Sequence, residues 1–285
     1  MSVLDLTPDF FRFWQAADAQ APAERAARWQ ELYEAPHRPH FAASEGRHGT
    51  MDHLSHALER YAVDLDRIRQ MKEVVSGAIA STEPAVANLF ALDHFTMRWV
   101  LLVGMYWSEG WVAKIDEQPI SYIALELLEA PVRAEILVPH EAAHVAHATA
   151  LGDEWQNLTT LADGLFLEGL ATLASGSVAP GYDEAAYLWA GLTETPRAVS
   201  VHDWLAECEA LWSVLNDQLR QHLASTDPAI YAPWFYGEDA RPELPQRYGY
   251  FAGYRMLQRL AEEHTIAELA RWPSTRIRYE VARAL

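Results

Sequence analysis

The chain has 285 residues, with 22 Lys and Arg against 40 Asp and Glu, a formal net charge of −18. Half of its residues are hydrophobic and 22% are charged, a balance that excludes a chain disordered throughout. The acidic excess also argues against a binder of nucleic-acid backbones or anionic membrane surfaces, because both need clustered cations. Cys208 is the only cysteine, which excludes an intrachain disulfide framework and a Cys-rich zinc site.

The first residues, MSVLDLTPDFFRFW, carry no basic segment leading into an apolar run. The longest apolar runs, such as Trp99 to Met105, are too short to span a bilayer. The expectation is a cytoplasmic protein without a membrane partner. Residues 8–35 place Phe10, Phe11, Trp14, Ala26, Trp29, Leu32 and Tyr33 at helical spacing, with Pro22 at a second helix start. Residues 35–49 read as a loop. Periodicity resumes from Met51 to about Ala80 through Leu54, Leu58, Tyr61, Leu65, Ile68 and Met71. Residues 1–84 are therefore expected to form an N-terminal helical region.

The pattern then shortens. Ala85–Leu92, Trp99–Trp107, Trp111–Ile115 and Ile120–Leu125 read as short β-prone segments, with a turn at Ser108-Glu109-Gly110, giving a small sheet with one hairpin. From Ala130 onward helical patterning dominates, broken at Gly152, Ser175–Gly181, Thr195-Pro196 and the Pro-rich stretch 233–245. The predicted class is α+β, mostly helical, with a small mixed sheet and a helical C-terminal lobe.

Residues 140–144 read His-Glu-Ala-Ala-His. On a helix His140 and His144 stand one turn apart on one face, where two imidazoles can chelate one ion. Glu141 projects to the side, placed to accept a proton from a water activated there. Leu137, Val138, Val145, Ala148 and Leu151 supply the apolar positions of that helix, with Gly152 as its C-cap. Pro139 is expected to kink the helix or delay its start. A catalytic zinc needs a third protein ligand. Ala150 stands where a third His of the metzincin spacing would be. Glu168, 24 residues after His144, lies in a helical run from Leu158 to Ala174 among Leu165, Phe166, Leu167, Leu170 and Leu173. A carboxylate in so apolar a segment needs a partner, and a metal ion is one.

His140-Glu-Ala-Ala-His144 followed by Glu168-Gly-Leu-Ala171 resembles the gluzincin superfamily of zinc peptidases, and most closely an uncharacterised bacterial family of predicted Zn-dependent proteases. Position 172 is Thr, so the sequence matches the E-x-x-A form of the third-ligand motif and not E-x-x-x-D. The resemblance spans roughly residues 85–260 and includes a third motif, Gly249-Tyr250-Phe251-Ala252-Gly253. It implies a zincin-like catalytic domain over residues 85–285, with the sheet and metal helix extending to about residue 152. It also implies Zn2+ held by His140, His144 and Glu168, Glu141 as general base, and Tyr250 as oxyanion donor, with Tyr248 and Tyr254 as alternates. The substrate would be a peptide or protein, with Ile120–Leu125 as the edge strand that pairs with it.

Simpler readings stand beside these. The tyrosines can be an aromatic helix start packed into the core. His147 lies too far along the helix to share the ion with His140 and belongs beside the site or on the surface. Asp163 suits a helix cap more than support of a ligand His. His37, His40, His48, His53 and His56 form only a loose, solvated set, and Cys208 is expected to be a buried structural thiol. Arg247 and Arg255 are the next oxyanion candidates should the tyrosines fail. The rival functions are an intracellular metal-binding regulator that cuts a single partner, and a non-catalytic helical binding module. The oligomeric state is not encoded in any pattern found.

Overall fold

The structure is a computed structural model describing residues 2–116, 118–189, 200–236 and 244–285. The predicted break at Thr195-Pro196 and residues 237–243 of the Pro-rich stretch lie outside them. Contacts divide the chain into two compact units, Met1–Glu83 with Thr96–Val145, and Pro84–Phe95 with Ala146–Leu285. Two long helices, α4 and α5 below, run through the unit boundaries.

The first unit opens with strand β1 (Ser2–Asp5), then α1 (Thr7–Ala17), α2 (Pro22–Trp29), a π turn over Gln30–Glu34 and α3 (Arg38–Ala43). Pro occupies the first turn of α1, α2 and α3, where its missing N–H costs nothing. The long α4 (Met51–Leu89) follows. It includes Ala85–Leu89, which the sequence pattern assigns to a strand; a short apolar run does not distinguish a buried helix end from a strand. Phe10, Phe13, Trp29, Tyr33 and Tyr61 are all fully buried. Trp29 stacks on Tyr61 with centroids 5.8 Å apart, and Phe10 meets Tyr61 edge-on at 5.0 Å. Such ring pairs add about 0.5–1.5 kcal/mol each beyond their buried area.

This aromatic core also holds the end of the sheet. The Tyr33 hydroxyl accepts the Val103 N–H at 2.8 Å, and the Tyr61 hydroxyl donates to the Gly104 carbonyl. The sheet comprises β1, β2 (Arg98–Leu102), β3 (Gly110–Ile115) and β4 (Gln118–Ala124), in the order β1-β2-β4-β3. β1 and β4 flank β2 in parallel, while β3 and β4 form an antiparallel hairpin. With a parallel neighbour on each side, Trp99 to Leu102 are buried without interruption, the pattern of a strand covered on both faces. The fold is thus α+β with a small mixed sheet, as expected; β1, only four residues long, has no legible sequence signature.

Helix α5 (Pro131–Leu151) runs through Pro139, so it does not start late there. An internal Pro costs a helix about 3 kcal/mol. Ala134, Ile136, Val138, Ala142, Ala143, Val145 and Ala146 are all buried along α5, and burial on this scale offsets that cost. Gly152, at φ +58°, then ends the helix in the left-handed conformation.

In the second unit α6 (Leu161–Val178) is apolar on nearly every side and correspondingly buried. It is followed by α7 (Glu184–Trp189), α8 (Val201–Ala210), α9 (Trp212–His222), α10 (Pro228–Phe235), α11 (Tyr248–Leu260), α12 (Ile266–Leu269) and α13 (Ser274–Ala284). The predicted loop from residue 233 therefore begins inside a helix, α10. α11 packs most closely on α6. A Cβ at Gly169 would run into the Gly253 backbone, and one at Gly253 into the Leu165 carbonyl oxygen, so both positions require glycine. Cys208 is fully buried, as expected, and burial pushes its thiol pKa up. Among the described residues no helix is long and apolar enough to cross a membrane.

α6 begins with a capping box between Thr160 and Asp163. Asp163 is almost fully buried and accepts the Thr159 and Thr160 N–H groups at 2.9 and 2.8 Å, while Arg278 of α13 binds the same carboxylate. Asp163→Ala removes the cap and leaves the guanidinium without its buried partner. Denaturant unfolding should show a loss of about 3 kcal/mol; a loss below about 0.5 kcal/mol would mean that the cap and ion pair contribute no net stability.

Candidate metal centre

One turn of α5 separates His140 from His144, and both side chains are half-buried. Their Nε2 atoms face each other at 3.2 Å. For tetrahedral zinc with Zn–N bonds of ~2.0–2.1 Å, two ligand nitrogens stand about 3.3–3.4 Å apart, so this pair already has the spacing of one coordination edge. Glu168, half-buried on α6, brings a carboxylate oxygen into the same cluster: one ligand atom from each residue lies within 4.8 Å of the others. Two imidazoles and one carboxylate form a donor set suited to zinc. Among the described residues this is the one His, Cys, Asp and Glu group placed to hold a metal ion.

Glu141 is 7% exposed and lies against the start of β3. A Cβ at Gly110 would lie 3.0 Å from its Cγ and Oε1. Gly110 therefore lets the strand backbone come up against the carboxylate. The Glu109 carbonyl accepts the Ala124 N–H at 2.8 Å, and Gly110 lies opposite Ile123. Bonded pairs alternate along an antiparallel ladder, so the N–H and C=O of Gly110 and Val112 point away from β4. β3 is thus an edge strand, as β1 is on the other side of the sheet. Ile120–Leu125, expected at the edge, forms the interior strand β4, because its second side is taken by parallel pairing with β2. Strand order depends on long-range pairing, which local sequence does not express.

The loop entering β3 is held by Glu126, which is 1% exposed in the short 3-10 turn Leu125–Leu127. Its carboxylate accepts the Gly104 and Tyr106 N–H groups at 2.8 and 3.2 Å. Burial outweighs these bonds and pushes its pKa up to about 7.

The family described as predicted Zn-dependent protease (DUF2268) matches residues 125–278, more than half of the chain. The chain belongs to this family. No curated protein and no solved structure matches it. The matched segment begins just after β4 and includes the His pair, Glu168 and all of α11.

At the start of α11 the three tyrosines differ. Tyr248 is fully buried, and its hydroxyl donates to Asn216 Oδ1 at 3.1 Å. Tyr254 is 8% exposed, its phenol pKa raised by burial and by Glu184. Tyr250 is half-buried, one helical turn before Gly253, with its ring centroid 5.5 Å from that of Phe235 and 4.2 Å from the Arg247 guanidinium. His147 is buried, packed between Trp155 and Phe166, so a surface position is ruled out. Asp163 caps α6, as its position suggested. Of the N-terminal histidines, His37 bonds Asp9 at 2.6 Å and His40 bonds Tyr122 at 3.1 Å, while burial lowers the pKa of His48 to about 4. The sequence reading missed Glu109, Gly110, Glu126 and Arg133. The first two register there only as a turn, and buried charges on separate elements have no local signature.

In the folded protein Glu126 binds a proton that the unfolded chain releases near its ordinary pKa of 4.5. Between pH 4.5 and about 7 the native state therefore holds more protons, and stability falls as pH rises through that window and levels off above it. Glu126→Gln should flatten this part of the stability–pH curve in thermal unfolding. An unchanged slope would assign the dependence to other groups.

Proposed function

We propose that the protein is a zinc metallopeptidase of gluzincin type. The reading rests on the cluster of His140, His144 and Glu168, and the family's description supports it. A zinc ion bound by these three side chains would act as a Lewis acid toward water and the scissile carbonyl. Glu141 takes the proton of the attacking water on its carboxylate and passes it to the leaving nitrogen. Its burial beside Gly110 keeps bulk water from competing for that carboxylate. The Tyr250 hydroxyl donates to the oxygen that becomes negative in the transition state. Of the three tyrosines, Tyr248 already spends its hydroxyl on Asn216, and Tyr250 shares its helix face with Gly253. The substrate is an extended peptide or protein segment laid along β3, through the outward-pointing backbone groups of Gly110 and Val112. We place the activity in the cytoplasm, in keeping with a single, buried thiol.

Metal content tests the ligand set directly. Protein purified without added metal should carry about one zinc per chain, and His140→Ala, His144→Ala or Glu168→Ala should each reduce it far below that level. Full zinc retention by Glu168→Ala would remove the gluzincin assignment even with both imidazoles still coordinating.

Catalytic roles require variants that keep the metal. Glu141→Gln should bind zinc normally and lose ~10²–10⁴-fold in peptide hydrolysis. In the same assay Tyr250→Phe should lose about 10²-fold or more in kcat with unchanged zinc and thermal stability, while Tyr248→Phe and Tyr254→Phe stay near wild type. Transfer of the loss to Tyr254→Phe would move the oxyanion role one turn along α11.

A further inference from the structure

The geometry points to the Glu109–Arg133 ion pair as the positioning element that sets β3, and with it a bound peptide, at a fixed height along the metal-binding helix. The inference rests on the peptidase reading for its catalytic consequence and on the structure alone for the clamp.

Arg133 lies in the first turns of α5 and Glu109 immediately precedes β3. The Arg133 Nε donates to Glu109 Oε2 at 3.0 Å, and the second arm of the guanidinium pairs with Oε1. The two side chains are 8% and 22% exposed, so most of the pair is shielded from water. A two-pronged guanidinium–carboxylate contact fixes direction as well as distance. The main chain of Glu109 is pinned independently, by the Ala124 N–H on its carbonyl.

The next residue is Gly110, whose backbone abuts Glu141. The start of β3 therefore meets α5 at two points, the ion pair at Arg133 and the close approach at Glu141. Those points are eight residues apart, or about 12 Å of helix at 1.5 Å per residue. A strand held at a single point can slide or tilt along the helix, whereas one held at two cannot. The outward N–H and C=O of Gly110 and Val112 inherit that position. A peptide hydrogen-bonded to them is delivered to the carboxylate of Glu141 in one register. No contact of Glu109 or Arg133 with the metal ligands is needed for this role.

Two conservative variants test it. Glu109→Gln keeps the shape of the side chain and removes its charge; Arg133→Lys keeps the charge and removes the fork. Hydrogen–deuterium exchange on the full chain is the first measurement. The Trp111 and Ala113 amides, which face β4 in the ladder, should exchange about tenfold faster in both variants, with β2 and residues 135–145 unchanged. The second uses zinc-loaded protein and a fluorescence-quenched mixture of random octapeptides. KM should rise about tenfold while kcat changes less than about threefold and zinc stays at one per chain. The reversed pair, Glu109→Arg with Arg133→Glu, should recover both exchange protection and KM, which loss of general packing would not allow. Wild-type exchange in both single variants overturns the clamp, as does a fall in kcat at constant KM. If wild-type protein with full zinc cleaves none of the peptides, the peptidase reading fails, and the exchange measurement alone decides the clamp.

Discussion

His140 and His144 can aim their Nε2 atoms at one point only while α5 is helical from one to the other. The intact helix places these nitrogens 3.2 Å apart. Pro139, just before them, works against an unbroken α5 on its N-terminal side, and the apolar residues that α5 buries along nearly its whole length maintain it. A helix this deeply buried is held by its surroundings more than by its own propensities. The same burial removes bulk water from Glu141, so the metal-ligand spacing and the environment of the neighbouring carboxylate have one physical origin.

The second helix of the centre, α6, solves a different problem. It carries a carboxylate in a segment that is otherwise almost wholly apolar, so it must be anchored without help from solvent. Its N-terminus is fixed by Asp163, which serves the capping box and Arg278 together. Its middle is fixed by α11, through a glycine-on-glycine approach at Gly169 and Gly253 that no side chain would permit. The residue after Glu168 is thus glycine for a packing reason. So is the last residue of Gly249-Tyr250-Phe251-Ala252-Gly253. Two of the three motifs that suggested a zinc protease owe part of their pattern to this helix contact.

The edge strand is where local sequence and tertiary structure part company most clearly. β3 and β4 have similar lengths and similar apolar character, and either one can serve as an edge when read alone. Parallel pairing with β2 settles the matter by enclosing β4 and leaving the outer side of β3 unpaired within the sheet. The consequence reaches the chemistry. β3 begins with Gly110, where a Cβ would stand only 3.0 Å from the Glu141 side chain.

The sequence by itself determined the three residues that cluster as candidate metal donors, the α+β class and the long helices. Each depends on residue type or on spacing within one element, and helical periodicity carries that information locally. The tertiary structure alone decided that α5 continues through Pro139, that Ala85–Leu89 belongs to α4, that the N-terminal residues add a parallel strand, and that β3 forms an edge. It alone brought Glu109 to Arg133 and buried Glu126 beneath the loop that enters β3. These outcomes turn on burial and on pairing between residues distant in the chain. The free energies involved, a few kcal/mol for a buried proline or a buried charge, are supplied by neighbours that no local pattern identifies.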